Sequence, residues 1–331
     1  MTELNVAEGE LTPVQLDEVV PFNIDVLDAR GRAVLLGPSL TAILDRHDYP
    51  EPVARLLGEM TVLTVLLGTS LKFSGKLIVQ TQTDGPVSLL VVDFVTPDSI
   101  RAYARYDADA VNAAVATGNT SPTEMLGKGM LALTVDPGKY MSRYQGMVKL
   151  DGSSLEEIAH NYFKQSEQIP TKVRLAVGKL ITRDNDGNQQ TTWRAGGLLA
   201  QFLPESEDRA RQKDLHPGEA PAETDLSVYE GNDDEAWAEV KALVGTVADS
   251  ELIDEDLGVH KLLYRLFHER GVRVFEGQSV VDQCSCSRDK VESLLRSFSP
   301  EQREESVENG KISITCEFCS TSYEFEPVEL E

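Results

Sequence analysis

The chain has 331 residues, of which 55 are acidic and 31 basic, and its formal net charge is −24. This length suggests two or three domains and is enough to bury a sizeable hydrophobic core. An acidic surface repels polyanions, so nucleic acid and anionic membranes are disfavoured as main partners. The first residues lack a basic stretch followed by an apolar one, so we identify no secretory signal and expect a cytoplasmic location.

The N-terminal part of the chain predicts a hairpin, two helices and a strand meander. Residues 20–36 predict a hairpin that turns at 29–32 ("ARGR"), and residues 38–47 predict a short helix. The apolar stretch 53–71 predicts a buried core helix, because its uncharged part is only about a dozen residues long and a membrane span needs about twenty. Alternating β-branched residues over 75–107 predict a three-stranded meander.

The middle of the chain continues this mixture of strands and helices. Residues 129–150 predict a strand pair that turns at "DPGK", and residues 151–168 predict a helix in which Ser153 or Ser154 begins a capping box. A second strand pair flanks the turn at 183–189, which contains glycine and asparagine. These elements predict an α+β fold with a mixed sheet-and-helix core domain.

The composition changes after Pro204. Residues 205–235 are acidic and poor in large apolar side chains, so we expect a solvated insertion. Apolar side chains at helical spacing over 237–247 and 262–267 predict two helices with packed faces. Because the run at 249–258 is acidic and offers few apolar side chains to offset the ordering entropy, we expect this segment to be marginally stable by itself.

The C-terminal part of the chain predicts a small separate unit. Residues 271–287 predict one strand that leads into a first cysteine pair, and residues 311–326 predict a hairpin with a second pair in its turn. Two helices between them have Ser287 and Ser299 as N-caps. The expected parts of the chain are an N-terminal extension (1–20), an α/β core domain (21–204), an acidic insertion (205–235), a metastable helical linker (236–275) and a zinc-binding domain (276–331).

All four cysteines lie in this unit, as Cys284-x-Cys286 and Cys316-x-x-Cys319. Four thiolates supply the tetrahedral shell that Zn²⁺ prefers, and a unit of about fifty residues has so little core that a metal would supply much of its folding energy. An ordinary zinc ribbon has two Cys-x-x-Cys pairs, so the Cys-x-Cys pair needs a further reason. Zinc holds cysteines as thiolates, the form that oxidants attack, and a redox switch is one such reason. An inert structural zinc site fits the spacing as well.

The cysteine spacing resembles that of the thirty-three-kilodalton heat-shock protein family, the bacterial redox-regulated holdase chaperones. The resemblance extends from about Phe22 to Phe325. It includes the stretches Lys128–Leu150, Tyr162–Thr171, Arg194–Pro204 and Leu262–Glu276. The N-terminal extension and the long acidic stretch after Pro204 depart from the family pattern.

The resemblance implies a chaperone, not an enzyme, that is inactive while Cys284, Cys286, Cys316 and Cys319 bind one zinc ion. Hypochlorite, or peroxide with heat, would form the disulfides Cys284–Cys286 and Cys316–Cys319. Zinc would then leave, the zinc domain and the linker would unfold, and the protein would dimerise. It would hold unfolding client proteins without ATP until ATP-dependent chaperones take them. Client binding is expected from apolar linker side chains, namely Trp237, Leu262, Leu263, Leu266 and Phe267.

Two other classes of protein stay open from the residues alone. A zinc-ribbon interaction protein of transcription or translation would have a purely structural zinc site, but it favours a basic face, and acidic residues outnumber basic ones in this unit. A thiol oxidoreductase needs a lowered thiol pKa, which we do not expect in a hairpin turn away from any helix N-terminus. The five histidines are scattered, and none has ligand spacing to the cysteines.

Overall fold

The computed structural model describes residues 14–70, 74–138, 143–151, 154–164, 169–183, 187–203 and 235–330. Its strands are β1 (Glu18–Ile24), β2 (Ala29–Leu36), β3 (Lys76–Thr83), β4 (Val87–Val95), β5 (Ser99–Tyr106), β6 (Lys128–Asp136), β7 (Tyr144–Asp151), β8 (Thr171–Arg183), β9 (Gln189–Phe202), β10 (Arg273–Val274), β11 (Gln278–Ser279), β12 (Val281–Asp282), β13 (Ile312–Thr315) and β14 (Ser322–Phe325). Its helices are α1 (Pro38–Asp45), α2 (Glu51–Ser70), α3 (Ala108–Thr117), α4 (Pro122–Leu126), α5 (Leu155–Tyr162), α6 (Glu235–Gly245), α7 (Asp249–Leu252), α8 (Gly258–Phe267), α9 (Arg288–Arg296) and α10 (Pro300–Glu305). The fold is α+β, as predicted. The predicted acidic insertion lies almost entirely outside the described residues.

The first sheet has the strand order β10-β1-β2-β9-β8, with β11 also paired to β1. The predicted first hairpin forms, but its turn was placed too late. A short 3-10 helix over Asp25–Leu27 makes the turn, and Asp28 ends it in the left-handed region at φ 46°. Aspartate tolerates this conformation better than most residues. The "ARGR" stretch that follows already belongs to β2.

The second sheet has the strand order β12-β5-β4-β3-β6-β7. The predicted meander is confirmed as β3, β4 and β5, which pair antiparallel in sequence order. The predicted strand pair that follows is confirmed as β6 and β7, whose connection lies partly outside the described residues. The predicted pair around the asparagine-containing turn is β8 and β9 of the first sheet.

Helix α2 lies between the two sheets and fills the main core. It is long and apolar enough to cross a membrane by length and composition, but 78% of its apolar window is buried inside the protein. Its side chains share one hydrophobic cluster with residues of both sheets and of α1 and α5. The prediction of a buried core helix is confirmed, and the two sheets are held together by this helix.

Three of the shorter core helices, α3, α4 and α5, begin at residues whose side chains cap them. Ser154 forms the capping box of α5 with Glu157, which is one of the two predicted alternatives. Helices α3 and α4 were not predicted, although Asp107 caps α3 and Ser121 forms a capping box at the start of α4. Neither helix has the broad apolar face on which the sequence prediction depended.

Helices α6, α7 and α8 cover the outer face of the first sheet, the face turned away from α2. Their apolar side chains form a second hydrophobic cluster with residues of β1, β2, β8, β9 and β10. The two predicted linker helices are therefore present, and their apolar stripes are packed faces.

The C-terminal unit follows the linker helices. The single strand predicted over 271–287 is wrong, because this segment forms the short strands β10, β11 and β12. The first two pair with β1, and β12 crosses to the edge of the second sheet, where it pairs in parallel with β5. The chain passes from the first sheet to the second at Val280, between β11 and β12, and the Val280 side chain is only 2% exposed. Helices α9 and α10 begin at Ser287 and Ser299 as predicted, and β13 and β14 form the predicted hairpin.

Candidate metal centre

Four cysteine side chains meet in the C-terminal unit. Cys284 and Cys286 follow β12, and Cys316 and Cys319 lie in the turn between β13 and β14. Their sulfur atoms all lie within 4.8 Å of one another. Two sulfur–sulfur contacts run between the pairs, with Cys284 Sγ 3.8 Å from Cys316 Sγ and Cys286 Sγ 3.3 Å from Cys319 Sγ. All four are free thiols of intermediate exposure.

These separations match a tetrahedral metal site. Zn–S bonds of about 2.3 Å in a tetrahedron place the sulfurs about 3.8 Å apart, close to the 3.8 and 3.3 Å of the two contacts between the pairs. A donor set made only of thiolates suits zinc, whereas calcium and magnesium prefer oxygen. Among the described residues, no histidine or carboxylate joins the group. The four cysteines therefore lie close enough together to bind one metal ion.

The turn between β13 and β14 sets the environment of Cys319. Cys316 N–H donates to the Thr321 carbonyl at 2.9 Å, and Ser320 N–H donates to the Cys316 carbonyl at 2.8 Å. Cys319 Sγ lies 3.3 Å from Thr321 Oγ1. Burial opposes ionisation of this thiol, but hydrogen bonds with Thr321 and with the neighbouring thiols outweigh it and lower the pKa of Cys319 to about 6. The expectation that no thiol pKa is lowered in this turn was therefore wrong.

Cys286 has the opposite electrostatic environment. Burial and the neighbouring thiols raise the pKa of Cys286 to about 12, although the Tyr323 hydroxyl, 3.2 Å from its sulfur, acts in the other direction. The same contact raises the pKa of Tyr323 to about 12. A bound cation reverses such a penalty, since coordination deprotonates thiols. Without a cation, the cluster combines one readily ionised thiol with one that holds its proton.

The unit around the cluster has a very small hydrophobic core. Among the described residues, its fully buried side chains are Leu295, Ile312, Phe325 and Leu330. The Arg288 guanidinium covers one side of this core. Its carbon lies 4.3 Å from the centroid of the Phe325 ring, which is within contact distance. A core of this size is too small to stabilise a domain without a cross-link.

The cluster lies against the edge of the second sheet. Strand β12 pairs with β5, and the following residue, Gln283, donates its backbone N–H to the Ile100 carbonyl at 3.0 Å. The Arg46 guanidinium, from the end of α1, forms a two-point ion pair with Asp282. These contacts fix the backbone on the core up to the residue before Cys284.

One core side chain reaches the cluster directly. Arg101 of β5 places Nη1 3.6 Å from Cys284 Sγ, and its guanidinium carbon lies 4.0 Å from the centroid of the Phe318 ring. Phe318 lies within the Cys-x-x-Cys turn, and Tyr103 of the same strand packs against it with ring centroids 6.3 Å apart. Sequence reasoning missed these core residues, because no local pattern links Arg101 to a cysteine 183 positions away.

The five side chains predicted to contact clients belong to the linker helices α6 and α8 and are buried against the first sheet. All belong to the second hydrophobic cluster, on the outer face of the first sheet. Trp237 stacks on Phe202 with ring centroids 5.8 Å apart, and Phe267 stacks on Phe22 at 5.7 Å. In this conformation they contact the core, and their role toward clients stays a prediction.

The chain has close relatives among known proteins. Residues 17–326 match the model of the family described as Hsp33 protein. The chain is 44% identical over 316 residues to the 33 kDa chaperonin of Caulobacter vibrioides, covering 94% of this chain and 96% of that protein. It is 37% identical over 311 residues to the 33 kDa chaperonin of Pseudomonas fluorescens, covering 93% and 90% of the two chains. A crystal structure of the 33 kDa chaperonin of Thermotoga maritima superposes with a TM-score of 0.68 at 19% identity, over 95% of this chain and 96% of that one.

The fold and the cluster define an α+β protein with a small four-cysteine unit docked on its core. The family match extends over most of the chain, and its relatives are matched over nearly their whole lengths. The chain belongs to the Hsp33 family. The family resemblance inferred from the cysteine spacing is thereby confirmed.

Proposed function

We propose that this protein is a redox-regulated, ATP-independent chaperone that is inactive while reduced and zinc-bound. The main support is the arrangement of one continuous C-terminal segment. Its four cysteines cluster on the edge of the core, and its preceding helices cover an apolar sheet face. The chaperonin names of the relatives support the chaperone class. On this proposal the cluster controls whether the apolar face is covered.

Cys284, Cys286, Cys316 and Cys319 would hold the zinc ion. When bound, zinc would keep the four sulfurs ionised and cross-link the two cysteine pairs. The residues themselves provide the rest of the site: two short cysteine motifs, a tight turn and a core cation beside one sulfur. The small core of the unit makes its fold depend on this cross-link.

Oxidation would join neighbouring cysteines, Cys284 with Cys286 and Cys316 with Cys319. In each pair, one thiolate attacks a peroxide oxygen, giving a sulfenic acid and releasing hydroxide. The second thiolate attacks that sulfur, forms the disulfide and expels a second hydroxide. Two thiolates thus lose two electrons in all, and one peroxide gains them. Each disulfide removes two ligands, so the metal would be released.

Loss of the cluster would unfold the C-terminal unit and release the linker helices. The apolar sides of these helices and the outer face of the first sheet would then bind unfolding clients. We further propose that the oxidised protein dimerises, works in the cytoplasm and passes its clients to ATP-dependent chaperones. The net charge of −24 supports this role, because it keeps a protein with exposed apolar surface soluble.

The deciding experiment follows zinc release and aggregation suppression together during oxidation. A chromogenic chelator reports the zinc, and light scattering reports aggregation of a thermally unfolding client. We expect protection to appear only as zinc leaves, and a variant with all four cysteines replaced by serine should not respond to the oxidant. Equal protection by the reduced protein would overturn the redox switch, whereas no protection in either state would favour the zinc-ribbon interaction protein. Peptide mapping would show whether the disulfides join neighbours or cross between pairs.

The lowered pKa of Cys319 favours one other candidate, a thiol oxidoreductase, since a thiolate at neutral pH is the reactive form. Multiple turnovers of a disulfide substrate by catalytic amounts of the protein would support this candidate. Stoichiometric oxidation without turnover would support the chaperone proposal.

A further inference from the structure

The core presents an unbalanced positive charge beside the cysteine cluster. Asp93 is only 2% exposed and accepts from Arg101 at 2.6 Å and from Lys76 at 2.6 Å. Lys76 also interacts with Asp136, which is paired with Arg143. Three cations therefore share two carboxylates, which leaves the group with a net charge of +1. A charge on the core that is not balanced locally favours an anionic neighbour.

Arg101 directs this charge toward both cysteine pairs. Its guanidinium lies 3.6 Å from Cys284 Sγ in the first pair and stacks on Phe318 in the turn of the second. Its side chain is only 16% exposed, so water and salt screen the contact weakly. Arg46 also interacts with the charges of Cys284 and Cys319, but its guanidinium is held in a two-point ion pair with Asp282. Arg101 is thus the core cation that contacts a cysteine sulfur of the cluster directly.

The charge of the cluster depends on its redox state. Four thiolates with one Zn²⁺ carry a formal charge of −2, whereas two disulfides without zinc carry none. In the first state Arg101 makes a charge-assisted hydrogen bond to a thiolate. In the second state the guanidinium would stay desolvated opposite a neutral disulfide, which is unfavourable for a charged group. The contact between Arg101 and Cys284 is therefore favourable in the reduced, zinc-bound state and unfavourable in the oxidised state.

We propose that Arg101 is a positioning residue that docks the cysteine cluster on the core only while the cluster carries thiolate charge. This inference rests on the proposed function, because it assumes that oxidation removes the charge. Cys284 follows Gln283 and β12, which pair with the second sheet, and β10 and β11 connect them to α8. Release of Cys284 from Arg101 would weaken the pairing of β12 with β5. Because β10–β12 connect the cluster to α8, the redox state of the cysteines would change the stability of the linker through this backbone pairing.

The test compares three variants of the full-length, reduced, zinc-loaded protein. R101Q removes the charge, and R101K keeps the charge but loses the planar fork and the stacking. R105Q is the matched control, because Arg105 is an exposed residue of the same strand that contacts Ser88 and not the cluster. Hydrogen exchange of the Val281 and Gln283 amides reports docking, since these amides donate to core carbonyls.

We expect R101Q to raise the opening equilibrium of these amides about tenfold or more, which is the effect of losing a charge-assisted hydrogen bond. R105Q should exchange like the wild type. Oxidation should accelerate exchange strongly in the wild type and by a smaller factor in R101Q, because the variant has already lost the contact. Slow exchange in R101Q equal to that of R105Q would overturn the proposal. So would an equal acceleration by oxidation in R101Q and the wild type.

R101K keeps the proposal testable if R101Q does not fold. Protection of its amides should fall as sodium chloride is raised, since a less enclosed ammonium is screened by salt. Protection that is insensitive to salt would count against a charge-dependent contact. Failure of the proposed chaperone function can be distinguished from failure of the Arg101 proposal, because the two are measured separately. Oxidised wild-type protein would then leave client aggregation unchanged, while the amides still responded to Arg101.

Discussion

Trp237 of the first linker helix stacks on Phe202 of the core, with ring centroids 5.8 Å apart and planes inclined by 29°. The other tryptophan, Trp193, is buried in the main core between the sheets. In W193F, emission therefore reports the linker alone. We expect oxidation to shift this emission to longer wavelength as the indole leaves its apolar stack. W237F is the control, and its Trp193 emission should not move. Unshifted W193F emission in the active protein would contradict linker detachment.

Replacing Phe267 should release the linker without oxidation. This side chain is fully buried and stacks on Phe22 at 5.7 Å. Phe→Ala changes in cores cost about 3 to 5 kcal/mol, which is large for three short helices. We expect reduced F267A to bind a dye specific for apolar surface and to suppress client aggregation. Y264A changes an exposed residue of the same helix and should stay inactive when reduced. An inactive, dye-negative F267A would mean that this helix does not hold the inactive state.

Replacing Cys319 should abolish tight zinc binding. Three thiolates leave the tetrahedral shell open, so C319S should lose about 100-fold or more in zinc affinity. Competition with a chelator of known affinity measures the loss. S285A is the control, because Ser285 is an exposed residue within the Cys-x-Cys motif. One tightly held zinc per chain in C319S would rule out the four-cysteine site.

Zinc binding should be linked to protons. Burial raises the pKa of Cys286 to about 12 and also raises that of Cys316, whereas the pKa of Cys319 is lowered to about 6. At pH 7 the first two must release protons when zinc binds, and Cys319 is already ionised. Zinc affinity should therefore fall as the pH is lowered from 8 to 6. Calorimetry in buffers of different ionisation enthalpy measures the protons released, and an affinity independent of pH would contradict this assignment.

Glu59 should make the stability of the core depend on pH. Burial raises its pKa to about 7, assisted by Glu156 of α5 and Asp249 of the linker. Because the folded pKa lies above the unfolded value, the folded protein binds the extra proton. The contribution to stability is present below about pH 4.5 and is lost as the pH rises through 7. E59Q, which stays neutral, should raise the free energy of unfolding at pH 8 by roughly 1 to 3 kcal/mol.

The difference between E59Q and the wild type should shrink as the pH falls and nearly vanish at about pH 4, where Glu59 is protonated in both the folded and the unfolded protein. Urea unfolding at the two pH values gives the comparison without a second variant. A stabilisation of equal size at both pH values would show that shape or packing, and not charge, is responsible.

Local patterns predicted much of the fold because they act within a few residues. Ser287 and Ser299 were identified as helix caps from their own neighbours, and both caps are present. The cysteine motifs predicted their own cluster, because two short pairs in a small unit have few other ways to meet. The unpredicted helix α4 shows the limit of this approach. Ser121, Pro122 and Glu124 form a standard helix start, but the helix is too short to show an apolar period.

Long-range pairing was beyond such patterns. Strand β12 has only two residues, and its partner β5 lies far away in the chain. No periodicity marks so short a strand, so the prediction of one continuous strand before the cysteines failed. Arg101 was missed for the same reason, because its partner depends on where β12 places Cys284. Prediction from a single sequence was therefore strongest within each part of the chain and weakest where the parts meet.

The first sheet is held from behind by α2, so the surface on which the linker helices pack does not depend on them. If oxidation releases the linker as proposed, that surface would stay assembled and act as a template. After reduction, the returning helices would pack on a sheet that is already formed, and no new sheet would have to be nucleated. Repeated cycles of opening and closing would then be possible, because the part that opens would refold each time against the part that stays folded.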